Sequence, residues 1–205
     1  MPQAEPQIKT QNCHPEAMRL AALSSTGILD TPPEPSYDAI TRLSAEYFQA
    51  DMVFLGFADE SRVWIKSYSG EPVRELPRKN SIFDMVLEED GPVVVPDIAL
   101  APQLYGSLLL LRRINAASFA SAPVRSSCGK ILGVLTIVRC QPHPDLSPEA
   151  LRMLESLADM VASQLELRRL RTAFPSPGVR RSWPSGVGNS EPTPGIERAA
   201  GRARR

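Results

Sequence analysis

The spacing of apolar positions changes several times along the chain, and each change marks an element. After His14-Pro15-Glu16, Leu20 and Leu23 fit a short helix that Gly27 can end, because glycine takes the left-handed conformation at little cost. Thr31-Pro32-Pro33-Glu34 has the form of a capping box, with threonine at the cap, proline at the first helical position and glutamate at the third. Tyr37, Ile40, Leu43, Tyr47 and Phe48 follow on one face of a second helix. At Asp51 the period becomes that of a strand. Residues 52–58 and 63–69 form a hairpin around Asp59-Glu60-Ser61-Arg62, and the first strand is apolar on both alternating faces, which predicts a sheet covered on both sides. Residues 81–89 read as a short helix, 92–96 as a short strand, and 98–113 as a mixed stretch with helical spacing in Leu108, Leu109 and Leu111. A second antiparallel pair, 117–124 and 131–138, turns at Ser126-Ser127-Cys128-Gly129. Strands and helices intermix without a regular βαβ repeat, so the class is α+β.

The last helix carries the strongest signals. Ser147 supplies the cap oxygen, Pro148 the first helical position and Glu149 a negative charge at the positive dipole end, while Arg168, Arg169 and Arg171 suit the other end. Leu151, Met153, Leu154, Leu157, Ala158, Met160, Val161, Leu165 and Leu167 cover an arc of roughly 200°, wider than the ~100° stripe of a surface helix. One sheet does not bury that arc, so a second partner is expected, either the N-terminal helix or the same helix of another copy. Met153, Leu157, Met160 and Leu167 are the expected dimer seam, beside a second seam of Leu151, Leu154, Ala158, Val161 and Leu165.

Charge and composition divide the chain further. The 205 residues hold 23 basic and 23 acidic side chains. Residues 172–205 contain six arginines against Glu191 and Glu197, a net +4, which leaves 17 basic against 21 acidic residues, or −4, in 1–171. Five prolines and five glycines in those last 34 residues predict a disordered basic tail, and 1–12 a disordered arm, around one domain at 13–171. The tail's arginines could add salt-sensitive phosphate attraction, but no folded basic face predicts a dedicated nucleic-acid protein. The absence of a long apolar run and of a signal-peptide pattern predicts a cytoplasmic protein without a membrane span. Cys13, Cys128 and Cys140 show no C-x-x-C spacing, and His14 and His143 are the only histidines, which disfavours disulfide scaffolds and metallohydrolases.

The stretch Glu16-Ala-Met-Arg-Leu-Ala-Ala-Leu-Ser-Ser-Thr-Gly-Ile-Leu-Asp-Thr-Pro-Pro-Glu34 resembles the opening of GAF domains in bacterial sensor proteins, of the form E-x-x-R-L…G-I-L-D-T-P-P-E. The resemblance continues through Trp64-Ile-Lys-Ser67, Val94-Val-Pro-Asp97, Ser121-Ala-Pro-Val124, Gly129-Lys-Ile-Leu-Gly-Val-Leu135 and Asp145-Leu-Ser-Pro-Glu149, covering about residues 15–171. It implies a GAF/PAS-like central antiparallel sheet flanked by helices, long N- and C-terminal helices packed together, and a ligand pocket under a roof of short helices and loops. It also implies homodimerisation through the terminal helices and signalling to a separate output protein such as a kinase or cyclase. With only a disordered tail expected after the last helix, a remnant of a larger sensor, kept for dimerisation, is the other possibility.

The resemblance makes Trp64, Phe83, Asp84, Tyr105, Phe119 and Ser121 the candidate ligand contacts, with Arg112-Arg113 a possible clamp for an acidic ligand. It leaves ligand and cofactor unidentified. Ser81-Ile-Phe-Asp-Met85 replaces an S-F-C-x-H-like segment of relatives, and the asparagine-lysine-phenylalanine-aspartate-glutamate set of cyclic-nucleotide GAF domains is absent. No cysteine falls in 96–116 for bilin attachment, and neither histidine falls in the expected pocket for haem. Three readings follow. The first is a non-catalytic sensor that binds a small molecule. The second is an interaction module with an empty pocket. The third is an enzyme of the free methionine sulfoxide reductase type, which needs two thiols at one cavity.

Overall fold

The computed structural model describes residues 15–79, 81–100, 111, 113–143 and 146–173. The predicted arm, residues 174–205 of the predicted tail, Cys13, His14, Tyr105, Leu108, Leu109 and Arg112 lie outside the described residues, while Thr172 and Ala173 continue the last helix. The elements run α1 (Pro15–Thr26), α2 (Pro35–Phe48), β1 (Met52–Ala58), β2 (Arg62–Ser69), β3 (Glu75–Pro77), α3 (Ile82–Glu89) and β4 (Val93–Val95). A 3-10 turn (Ile98–Leu100), β5 (Ser118–Arg125), β6 (Ile131–Arg139) and α4 (Pro148–Ala173) follow. One six-stranded sheet has the order β3-β2-β1-β6-β5-β4, with every neighbour antiparallel. This is the α+β architecture the sequence predicts.

All seven residues of β1 are buried, and so are eight of the nine in β6. Alternate residues therefore feed two cores. Val53, Leu55, Phe57, Leu135 and Ile137 meet Leu23 of α1, Tyr37 and Ile40 of α2, and Leu154 and Val161 of α4. On the opposite face Phe54, Val134 and Val138 meet Phe83 and Val86 of α3 together with Ile98 and Leu111. Three helices thus cover one face, and among the described residues α3 with Ile98 and Leu111 covers the other.

The hairpin is closed by Asp59, whose Oδ1 accepts from the backbone N–H groups of Ser61 and Arg62, each at 2.8 Å. Gly27 ends α1 with φ +57°, and the Ser147 hydroxyl caps α4 by accepting from the Ala150 N–H at 3.2 Å.

Thr31 does not cap α2. The helix begins at Pro35, with Glu34 at the cap in extended conformation (φ −130°, ψ 126°) and no side-chain cap bond. Pro35 explains this, because a residue before proline is driven out of the helical region. The inner face of α2 matches the predicted one at Tyr37, Ile40 and Phe48 but not at Leu43 and Tyr47. Tyr37, Ile40, Thr41, Ser44 and Phe48 are buried, whereas Leu43 and Tyr47 are about half exposed. Thr41 and Ser44 tolerate burial because their hydroxyls are bonded, to Ser67 Oγ at 2.9 Å and to the Ile40 carbonyl at 2.8 Å.

In α4, Leu154, Leu157, Ala158, Val161 and Leu165 are buried in the chain's own core, while Met153, Met160, Leu167 and Leu170 remain 38–49% exposed. Leu157 therefore leaves the expected dimer seam. The sheet-facing arc takes it, since α4 settles into the groove over β5 and β6 beside α1 and α2.

Gly133 faces Phe57 across the β1–β6 pair. A Cβ there would run into the Gly56 carbonyl oxygen and lie 2.6 Å from the Phe57 ring. Gly133→Ala is expected to lower stability by about 2 kcal/mol or more, the scale of overpacking in a closed core. Urea denaturation checks this, and an unchanged midpoint would contradict the close approach.

Candidate functional site

The roof face holds the candidate pocket. Ser81 caps α3 by accepting from the Asp84 N–H at 3.3 Å, and this sets Ile82, Phe83 and Val86 on the sheet-facing side, all buried. Phe119 of β5 lies in the same cluster. Beneath it, Ser121 and Thr136 are fully buried partners across the β5–β6 pair, their hydroxyls 2.8 Å apart. That mutual bond uses one of the two hydroxyl hydrogens, so the pair is a polar point in an otherwise apolar floor.

Two guanidinium groups close one end of this face. Arg19 of α1 is 2% exposed. Its Nη1 donates to the Ala58 carbonyl at 2.7 Å, and its Nε and Nη2 donate to the two Glu16 carboxylate oxygens at 2.8 Å each. Arg78 donates to Glu16 Oε1 at 2.5 Å and to the Asp59 carbonyl at 2.8 Å. Both groups lie near the Phe83 ring, 5.1 and 5.4 Å from its centre, within cation–π range. Hydrogen bonds from Arg19 hold the Glu16 carboxyl down at about 2, from 4.5, with Arg78 adding to them and partial burial opposing.

Asp84, a candidate ligand contact, is turned to this cluster instead, 3.5 Å from Arg78 Nε and partly exposed. Its place in the first turn of α3 puts the carboxylate beside the loop that carries Arg78, away from the floor. Trp64 is the other departure. It packs, partly buried, against the helix-face core, because alternation along β2 sends Val63 and Ile65 to the roof. Phe83, Phe119 and Ser121 are thus brought together on the roof face, and Trp64 and Asp84 are not.

Lys66 escaped the sequence reading. A register shift in the β1–β2 pair makes it the extra residue between Ser67, opposite Leu55, and Ile65, opposite Gly56. Its side chain is wholly buried, with Nζ donating to Thr31 Oγ1 (2.8 Å), the Pro32 carbonyl (2.6 Å) and Glu34 Oε1 (2.7 Å). The Tyr37 and Trp64 rings flank it at 5.4 and 5.7 Å. Burial, then the Glu34 carboxylate, raises the Tyr37 phenol to about 12. Glu34 also accepts from Arg168 of α4, whose Nη2 reaches the Gly27 carbonyl at 3.0 Å. The T-P-P-E segment is therefore a cradle for a buried cation.

The remaining candidates are dispersed. Arg113 pairs with Glu71 at 3.0 Å on the surface. His143 donates its backbone N–H to the Pro96 carbonyl at 3.0 Å. Cys128 and Cys140 are both exposed and flank the nine-residue β6, whose length separates its ends by about 30 Å. They do not share a cavity within one chain. Among the described residues no group of three or more His, Cys, Asp or Glu side chains could hold a metal ion, and no helix is long and apolar enough to cross a membrane.

A two-faced antiparallel sheet with three helices on one side and a short-helix roof on the other is the arrangement of a GAF domain. The GAF domain model matches residues 32–165, and the chain belongs to that family. It is 24% identical over 154 residues to a cyclic di-GMP phosphodiesterase of Pseudomonas aeruginosa, a match that takes in 75% of this chain and 26% of that protein. The chain thus spans about a quarter of that relative's length. Among solved structures, the GAF domain of a phosphoenolpyruvate-protein phosphotransferase from Coxiella burnetii aligns with a TM-score of 0.58 at 18% identity, over 79% of this chain and 99% of that one. A type II free methionine-R-sulfoxide reductase from Thermoplasma acidophilum aligns with a TM-score of 0.55, also at 18% identity, over 73% and 96%. These likenesses define the fold.

The depressed Glu16 carboxyl has a testable sign. A carboxylate held at about 2 in the fold and 4.5 in the unfolded chain contributes stability that is present above about 4.5 and lost as pH falls toward 2. Glu16→Gln should remove that contribution, so its denaturation midpoint should fall less steeply than that of wild type across this window. Parallel curves for the two proteins would refute the assignment.

Proposed function

We propose that this chain is a non-catalytic regulatory GAF module that pairs with a second copy through the outer face of α4 and senses a small molecule under its roof. The observation that carries this reading is what remains exposed on α4 once its own core has been satisfied. Met153, Met160 and Leu167 are spaced by seven residues, 38–49% exposed, with Leu170 beside them. Seven-residue spacing keeps a stripe in line along a helix pair, and large apolar side chains in line form a patch that a partner would cover. The ligand reading is supported by family membership and by the Ser121–Thr136 hydroxyl pair on the floor, with Phe83 and Phe119 above and beside it. The phosphodiesterase relative and the sensor-like fold neighbours, such as a far-red cyanobacteriochrome photoreceptor (TM-score 0.54), support a place in signal transduction, with output through a separate domain or protein.

A second reading, an interaction module with an empty pocket, draws support from the roof itself. Phe54, Phe83, Ile98 and Leu111 are each no more than 1% exposed, so the described roof-side positions are filled by the protein's own side chains. The reductase chemistry is disfavoured by the separation of Cys128 from Cys140.

Native mass spectrometry of the purified protein distinguishes these readings. A dimer carrying added mass is the expected result and weighs the ligand directly. A dimer at the bare chain mass, with no small molecule raising the melting temperature, would favour the empty-pocket module, since a ligand that binds the native state stabilises it by mass action. Met160→Glu combined with Leu167→Glu should give soluble, folded monomers. A wild type that is monomeric at high concentration would overturn the dimer.

A further inference from the structure

The sheet separates the two cores, and at one end of it α1 and α3 meet directly. Leu23 of α1 belongs to the helix-face core, whereas Phe83 of α3 belongs to the roof-face core. Arg19, one turn before Leu23, nevertheless lies 5.1 Å from the Phe83 ring. Glu16 joins the pair of guanidinium groups around that ring, bonded to Arg19 through both oxygens and to Arg78 through one. Arg78 in turn touches Asp84 of α3, and both arginines anchor on hairpin carbonyls, Ala58 for Arg19 and Asp59 for Arg78. We infer that Glu16, Arg19, Arg78 and Phe83 form a clasp that makes the seating of α1 and the seating of α3 a single conformational event.

The physical reason lies in what separation would leave behind. Arg19 is almost wholly buried. Withdrawing Phe83 removes an apolar, electron-rich face from two cations, and withdrawing α1 takes Glu16 from Arg78 and leaves it Asp84 alone. Either movement takes from a cation a contact that the other element supplies, a ring face in one case and a carboxylate in the other, and burial makes such losses costly. Small displacements of α3 are therefore resisted, and larger ones carry α1 with them. The linkage extends further, because the Gly27 carbonyl at the end of α1 accepts from Arg168 of α4. Roof, first helix and last helix are joined by consecutive polar contacts. The clasp needs no ligand, so it stands or falls separately from the sensing role.

Native-state hydrogen exchange read by mass spectrometry on the full chain tests it. Phe83→Leu should raise exchange several-fold in peptides from α3 and also in residues 20–26 of α1, while α2 keeps its protection. Glu16→Gln should do the reverse, raising exchange in α3. Val86→Ala, which loosens α3 within the same core and leaves the clasp intact, should raise exchange in α3 and, through the clasp, in residues 20–26 of α1. Changes confined to the substituted element would overturn the coupling, as would an equal rise in α2. Should Phe83→Leu fail to fold, Arg78→Lys keeps the charge and loses the forked hydrogen bonding, and the same α1-and-α3 pattern is expected.

Discussion

The two-sided burial of β1 and β6 is the constraint on which the rest depends. A strand pair with almost no exposed residue must be covered above and below, and the chain supplies unequal covers. Three helices pack on one face, and among the described residues one short helix packs on the other. The thick side has little freedom, since Leu154, Val161 and Leu165 of α4 interlock with Leu23, Tyr37 and Ile40. On the other side Phe83 and Val86 of α3 pack with Ile98 and Leu111 on Phe54, Val134 and Val138.

Buried cations fix how the covers attach. Lys66 ties α2 and the preceding prolines to the sheet, and Arg19 ties α1 to the hairpin. In both cases a glutamate serves two cations at once, Glu34 for Lys66 and Arg168 and Glu16 for Arg19 and Arg78. Such arrangements gain little net stability over an apolar substitute, because desolvation offsets attraction. Their directional bonds do select one position for each helix, which apolar packing alone leaves loosely specified.

Much of this architecture was legible along the chain. The hairpin, the β5–β6 pair and α4 announce themselves through period, turn residues and caps, because those signals are local. The start of α2 was misplaced since two prolines drew attention to Thr31 while a third, Pro35, governed Glu34. Leu43 and Tyr47 were assigned inward on hydrophobicity, whereas Thr41 and Ser44 took the inner positions through hydrogen bonds no periodicity reveals. Phe83, Phe119 and Ser121 share the roof face, whereas Trp64 lies on the opposite face because strand alternation sends it there. Arg19 and Lys66 each interrupt an apolar pattern, as R in a face with Leu23 and as K within V-W-I-K-S. A charge at an inward position was the available signal, and its meaning required the distant partners Ala58, Glu34 and Thr31.

The edges of the sheet carry a consequence of their own. β3 and β4 are three residues each, so each margin offers a template too short for another chain to extend by backbone pairing. The protein is thereby guarded against fibrillar growth of its sheet even though its centre is a run of apolar strands. Pairing of the proposed kind, through side chains on α4, would leave these margins unused.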